Sequence, residues 1–342
     1  MQWLIRPTIC ALLCVLLAQH PLQQSDKQKP VTSDDEPIKL HATLVQVPVI
    51  VKATGGRYLT DLRKDEFAIY EDGVKRDVEF FGTVEEPFNV ALLLDSSGST
   101  TEQLEYIKAA ALAFLDYLRP QDKVMVIEFN DSVRVLSELT SDREHLRRAI
   151  ADIKSGEFTQ VYEAVYTAVW EKLADIEGRK AVILFSDGID NASSEIDQED
   201  TLDAVIESED VIVYPIRYST RADVERKLEK KFALPPPGQL KPDSKKPAPS
   251  YEEAMRELDR TYRQADEYLT QLAQLSGGVI ERADRIGDLK AALSRIADEL
   301  RRQYVLGYYP PKEMNDKERR IRVTVSRTGA LVRARPGYKA AQ

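Results

Sequence analysis

Four apolar runs, "NVALLL", "KVMVIEF", "KAVILFS" and "DVIVYPIRYS", recur along residues 89–219 with helix-patterned stretches between them. Strands joined by helices run parallel, and the helices must then cover both faces of the sheet. After the first run, Leu104, Ile107, Ala111, Phe114, Leu115 and Leu118 form one helical stripe. Further helices are expected in "DREHLRRAIADI", "QVYEAVYTAVWEKLADI", "QEDTLDAVIESE", "ADEYLTQLAQLSGG" and "IGDLKAALSRIADEL", and further strands in "VRVLSEL" and, short, in "VIERA". The expectation is an α/β fold, a doubly wound and mostly parallel six-stranded sheet over residues 86–302. Pro215 lacks the donor an interior strand needs, so that strand should end or bulge there.

The flanks read differently. "KLHATLVQVPVIVKA", "EFAIYEDG" and "VKRDVEFFGT" before the sheet, and "RQYVLGYYP", "RRIRVTVSR" and "ALVRARPGY" after it, are strand-like, with "EDG" as a hairpin turn. Residues 38–85 and 303–340 each offer too few strands to be stable alone. Together they are expected to form a small β-sandwich with the α/β domain inserted between its halves. Residues 221–264 interrupt the alternation: two helical stretches flank "ALPPPGQLKPDSKKPAPS". Its lysines, Lys241, Lys245 and Lys246, would add positive charge at the sheet edge that the chain leaves there.

Residues 1–18 have the pattern of a signal peptide, with Arg6, the apolar "ICALLCVLLA" and Ala18 before the expected cleavage. That apolar stretch is short of the roughly 20 residues of a spanning helix. Leu13 stands where a lipid-attachment signal at Cys14 needs a small residue. Residues 19–37 read as a disordered tether. The expectation is a secreted or periplasmic, cell-envelope protein with no stable transmembrane anchor. Both cysteines, Cys10 and Cys14, fall inside the signal, and His41 and His145 sit in ordinary contexts. Disulfides, thiolate metal sites and histidine-dependent triads are thereby excluded. The formal net charge of −9 argues against a nucleic-acid partner.

Ligands of an open α/β sheet bind beyond the carboxyl ends of the strands, where strand order reverses. Three loops leave such ends rich in oxygen: "DSSGS", "GEFTQVYEA" and "LFSDGIDN". With the order 3-2-1-4-5-6, Asp95 and Asp187 would face each other across the switch point. Asp95, Ser97 and Ser99 alternate, so a curled loop could aim all three inward. A helix cap needs only one such oxygen. A phosphate loop needs further glycines and a lysine, which are absent. Carboxylates and hydroxyls without His or Cys suit a hard divalent ion, Mg²⁺ foremost, with Mn²⁺ or Ca²⁺ as alternatives.

"DSSGS", "TQVYEA" and "LFSDGIDN" together resemble the metal-ion-dependent adhesion site of von Willebrand factor type A (VWFA) domains, whose fold is Rossmann-like. The flanks resemble bacterial VWFA-related proteins of the Acidobacterial type. The resemblance implies a metal held by Ser97 and Ser99 directly, by Thr159 directly or through water, and by Asp95 and Asp187 mostly through water. "GEF" departs from the two glycines usual before Thr159. Asp190 and Asn191 are expected to shape the rim. The resemblance further implies binding rather than catalysis: an exported, adhesion-type module, not an enzyme, whose metal accepts a Glu or Asp carboxylate from a protein partner. The rivals are a metal-dependent envelope hydrolase and a structural module with a purely stabilising metal.

Overall fold

The computed structural model describes residues 44–82, 86–233, 250–283, 286–311 and 318–339. The expected signal peptide, the tether and Lys241, Lys245 and Lys246 lie outside them. The chain runs through β1 (Val45–Ala53), β2 (Phe67–Glu71), β3 (Val74–Arg76) and β4 (Phe80–Gly82). There follow β5 (Phe88–Asp95), α1 (Leu104–Tyr117), β6 (Lys123–Phe129), β7 (Val133–Thr140), α2 (Arg143–Ala151) and α3 (Val161–Tyr166). A π-helical turn, Thr167–Lys172, extends α3 and leads to β8 (Arg179–Ser186), α4 (Gln198–Glu207), β9 (Val211–Arg217) and α5 (Arg221–Ala233). Then come α6 (Tyr251–Ser276), β10 (Glu281–Arg282) and α7 (Ile286–Leu300). The chain closes with β11 (Tyr304–Tyr308), β12 (Glu318–Val325), β13 (Ala330–Ala334) and β14 (Gly337–Lys339).

The central sheet has six strands in the order β10-β9-β8-β5-β6-β7, parallel except for β7 against β6. This is the expected reversal of strand order, between β5 and β8. Period-two alternation divides each buried strand between two layers. Val90, Leu92 and Leu94 of β5 pack with Ile107, Phe114, Leu293 and Ile296 of α1 and α7. Ala91 and Leu93 pack with Val161, Val165, Val205 and Leu272 on the other face. Continuous apolar runs are thus the signature of a sheet covered on both sides.

Two expectations need correction. β9 neither ends nor bulges at Pro215, which pairs in register with Leu184. The N–H of Val213 donates to Ser276 Oγ (2.9 Å), away from β8. Pro215, two residues on, turns its nitrogen to the same side, where β10 reaches only Ile216 and Arg217. The missing donor therefore breaks no ladder bond. The second correction concerns residue 264, expected to divide two helices. α6 runs unbroken for 26 residues from a capping box of Ser250 and Glu253. Its stripe Tyr262, Ala265, Tyr268, Leu269, Leu272 and Ala273 crosses that boundary at helical spacing.

The flanking strands pair across the α/β region. β1 lies antiparallel to β11 and β13, while β12 lies antiparallel to β2 and β14. The result is two four-stranded sheets, β13-β1-β11-β4 and β14-β12-β2-β3. "VKRDVEFFGT" supplies a strand to each, and β2 and β3 meet at a turn with Asp72 and Gly73 at φ 49° and 83°. Both sheets face one core containing Val47, Val49, Ile69, Leu306 and Val323. Within it, buried Glu71 accepts from Tyr308 Oη (3.2 Å) and Tyr338 Oη (2.8 Å) and pairs with Arg76 (2.8 Å), joining the sheets through one carboxylate.

Arg335, 1% exposed, fastens these strands to the α/β region. Its guanidinium donates to the carbonyls of Ser208 (2.7 Å), Ile206 (2.7 Å) and Val205 (3.2 Å), the last turn of α4, and to Gly337 (2.6 Å). A cation there also complements the helix dipole. Arg335→Ala is expected to lower the unfolding free energy by roughly 2–4 kcal/mol, since it leaves several buried carbonyls without donors. Arg335→Lys should recover only part of this, because a point charge cannot fork. Urea denaturation measures both, and wild-type stability in Arg335→Ala would contradict the role given to the guanidinium.

Candidate metal centre

β5 delivers Asp95, fully buried, to the carboxyl edge of the sheet. Its Oδ1 accepts from Ser97 N (3.0 Å) and Ser97 Oγ (2.6 Å), and its Oδ2 from Ser186 Oγ (2.9 Å) at the end of β8. Ser97 Oγ lies 3.1 Å from Ser99 Oγ, which reaches Asp187 Oδ2 at 3.4 Å. Four of the five residues singled out in the sequence, Asp95, Ser97, Ser99 and Asp187, thus form one chain of oxygen atoms. The helix-cap reading of "DSSGS" is not met: α1 begins only at Leu104, and its N-cap Gln103 makes no side-chain cap bond. The serine hydroxyls face the carboxylates instead.

The supporting loops hold this curl. Ser96 N donates to Phe129 O (3.0 Å), and Ser96 O accepts from Gly156 N (2.8 Å). Ser96 Oγ donates to buried Glu128 (3.0 Å), which also accepts from Lys154 N (3.0 Å). The "GEF" loop is thereby drawn against the first loop so closely that a Cβ on Gly98 would stand 3.0 Å from Glu157 O. Asp131 fixes its far side, accepting from the N–H groups of Glu157 (2.9 Å) and Phe158 (2.6 Å).

Thr159, 3% exposed, is placed through its backbone. Its N–H donates to Asn191 Oδ1 (2.8 Å), and its carbonyl accepts from the N–H groups of Asn191 and Ala192, both 3.1 Å. No hydrogen bond among the described residues joins its hydroxyl to the other four. Asp190 is engaged in the rim, accepting from Tyr162 N (3.1 Å), Ser193 N (3.0 Å) and Ser193 Oγ (2.5 Å). Sequence reasoning missed Ser186, adjacent to Asp187 in "FSDG", and Thr220, whose Oγ1 donates to Asp187 Oδ2 at 2.6 Å.

The family model of the von Willebrand factor type A domain matches residues 90–189, which span β5 to the Asp187 loop. That stretch of the chain is similar to a von Willebrand factor type A domain. An uncharacterized protein of Synechocystis sp. is 32% identical over 106 residues, 30% of this chain and 25% of that relative. This chain therefore spans about a quarter of the length of that relative. Among solved structures, the conserved hypothetical protein BatB from Bacteroides thetaiotaomicron is similar at 19% identity and a TM-score of 0.42, over 63% of this chain and 98% of its own. Proximal thread matrix protein 1 from the mussel byssus, in a form with a zinc-occupied MIDAS motif, is similar at 14% identity and a TM-score of 0.43, over 66% of this chain and 48% of its own.

Electrostatics at the edge of the VWFA sheet are unbalanced. Among the described residues, neither Asp95 nor Asp187 has a salt-bridge partner; Arg217, which lowers Asp187 electrostatically, is paired with Asp266 at 2.8 Å. Burial raises the Asp95 carboxyl well above the usual range, and the neighbouring Asp187 charge raises it further, against the hydrogen bonds from Ser97 and Ser186. Burial likewise raises Asp187, against the hydrogen bonds from Thr220, Ile189 N and Ser99. No three His, Cys, Asp or Glu side chains among the described residues cluster as a metal site. The donor set is two carboxylates with adjoining hydroxyls. All-oxygen donors, and buried negative charge without a counter-charge, fit a hard divalent cation.

A pH dependence follows. Without metal, the folded chain keeps protons on these carboxylates where the unfolded chain, with a pKa near 3.9, has released them. Stability therefore falls as pH rises from that value towards the raised folded ones. In EDTA, the melting temperature of Asp95→Asn is expected to gain on the wild type between about pH 4 and pH 7. Thermal denaturation across that range reads the gap, and parallel curves would contradict this account of the pair.

Proposed function

We propose that this protein is an exported protein-binding module of adhesion type, in which a divalent cation held at Asp95, Ser97, Ser99, Thr159 and Asp187 receives a Glu or Asp carboxylate from a protein partner. The observation that carries this reading is the pair of buried carboxylates, without a salt-bridge partner among the described residues, joined through two serine hydroxyls. Mg²⁺ is the proposed ion, since the donors are hard oxygens and the site sits at an open sheet edge. Bound there, the cation would supply positive charge and an open position to an incoming carboxylate. Ser97 and Ser99 would hold it through neutral oxygen, with Asp95 and Asp187 behind them. Few negative charges in direct contact leave the ion attractive to a further acid.

The proposal is of binding without catalysis. A metal-assisted hydrolase needs a placed base beside the ion, whereas of the nearest acids Asp190 is committed to Tyr162 N and Ser193, and Glu157 is an exposed loop residue whose N–H donates to Asp131. Export rests on the pattern of residues 1–18, outside the described residues. No helix among the described residues is long and apolar enough to cross a membrane.

The test combines stability with capture. A ligand that binds only the native state raises stability by RT ln(1 + [L]/Kd), about 2.7 kcal/mol at a hundredfold excess over Kd. Mg²⁺ is expected to raise the melting temperature, EDTA to reverse the shift, and Ser97→Ala combined with Ser99→Ala to abolish it. An envelope protein retained in Mg²⁺, released by EDTA and not retained by the double variant would meet the partner requirement. A shift in stability with no metal-dependent capture would favour the purely stabilising metal. Indifference to Mg²⁺, Mn²⁺ and EDTA would remove the metal reading altogether.

A further inference from the structure

The hairpin of α5 and α6 reaches the candidate centre through two hydroxyls that the sequence reading left unassigned. Thr220, fully buried, occupies the N-terminal boundary of α5, where its carbonyl accepts from Asp223 N (3.0 Å) and Val224 N (3.1 Å). Its side chain is free of capping work. Thr220 Oγ1 donates to Asp187 Oδ2 (2.6 Å), the oxygen that Ser99 also reaches, and lies 2.6 Å from Tyr262 Oη on α6. With the threonine proton given to the carboxylate, Tyr262 must be the donor to Thr220. Burial pushes the Tyr262 phenol up to about 12, so it keeps that proton at neutral pH. With Asp187 ionised, the relay runs from Tyr262 to Thr220 to Asp187.

Arg221 of α5 joins the hairpin internally by pairing with Asp259 of α6 (2.5 Å), and two further contacts tie the hairpin to the site. Gln103 Nε2, at the start of α1, donates to Asp223 Oδ2 on α5 (2.7 Å). Leu269 of α6 packs so tightly on the Asp187 loop that a Cβ on Gly188 would stand 2.8 Å from its Cγ. The hairpin is therefore attached to the first metal loop through α1 and to the third through Asp187.

We propose that Thr220 and Tyr262 are positioning residues of the metal centre, fixing the orientation of Asp187, and that through them the α5–α6 hairpin and the Asp187 loop order as one unit. The metal consequence rests on the function proposed above; the coupling of hairpin to loop does not. Partners that orient a ligating side chain typically change metal affinity 10–100-fold when removed, as an order-of-magnitude guide. Linkage makes the effect reciprocal: a cation that draws on Asp187 also steadies the hairpin.

The experiment measures Mn²⁺ affinity by electron paramagnetic resonance and hydrogen exchange of the metal-free full chain, in the wild type, Thr220→Val, Thr220→Ser and Tyr262→Phe. Thr220→Val is expected to weaken Mn²⁺ binding by about tenfold or more, and Thr220→Ser, which keeps the hydroxyl, to restore it. Thr220→Val and Tyr262→Phe are expected to speed exchange in residues 187–192 and 221–233 together, without metal. Unchanged exchange in 187–192, or Thr220→Val binding Mn²⁺ as the wild type does, would overturn the proposal. If Thr220→Val fails to fold, Tyr262→Phe decides by the same two readings. A wild type that binds no Mn²⁺ would refute the metal reading and with it the positioning role, while metal-free exchange would still decide the coupling.

Discussion

Two carboxylates buried side by side, with no salt-bridge partner among the described residues, are the constraint around which this molecule is arranged. Burial of an unpaired carboxylate is costly, and here Asp95 and Asp187 stand at the ends of adjacent strands. The surrounding structure lowers that cost with donors: Ser97 and Ser186 on Asp95, and Thr220, Ile189 N and Ser99 on Asp187. Hydrogen bonds replace part of the lost hydration but supply no opposing charge. Under the proposed function, that remaining imbalance would make the site receptive to a divalent ion.

The fold positions that imbalance economically. Parallel strands buried on both faces place their carboxyl ends on one edge, and strand order reverses there between β5 and β8, the kind of place where open α/β sheets bind ligands. Asp95, Thr159 and Asp187 come from three different connections, so their arrangement is only as exact as the packing of the loops. Glu128, Asn191 and Asp131 supply that exactness by bonding backbone N–H groups of the neighbouring loops. At the opposite edge, Arg335 and the two sheets built from the chain's flanks hold α4 by its last carbonyls. The site and its anchorage therefore occupy separate ends of the same sheet.

How much of this is legible in the sequence depends on how local each cause is. The parallel, doubly covered sheet follows from apolar runs alternating with helical stripes, and "DSSGS" and "SDG" betray themselves because side-chain oxygens are concentrated just where apolar strands end. Pairing of the flanks is legible too, since neither has enough strands to stand alone. Thr220 and Tyr262 are not legible. A threonine before a helix is an ordinary cap by pattern, and its real partners lie 33 and 42 residues away. Pro215 misleads for a related reason: the rule about interior strands is sound, but only the tertiary structure shows which side of β9 is unpaired at that residue. The unbroken length of α6 is readable in hindsight from its stripe, which runs past residue 264 at helical spacing.

The central claim is that the paired loops of β5 and β8 form a single cation site. Crystals grown with Mn²⁺ and measured at the manganese absorption edge test it most directly. The account predicts one anomalous peak beside Ser97 Oγ and Ser99 Oγ, within reach of Asp95 and Asp187, and none in crystals of the Ser97→Ala, Ser99→Ala double variant. A map without a peak there at saturating Mn²⁺, or with the ion bound elsewhere on the chain, would contradict it.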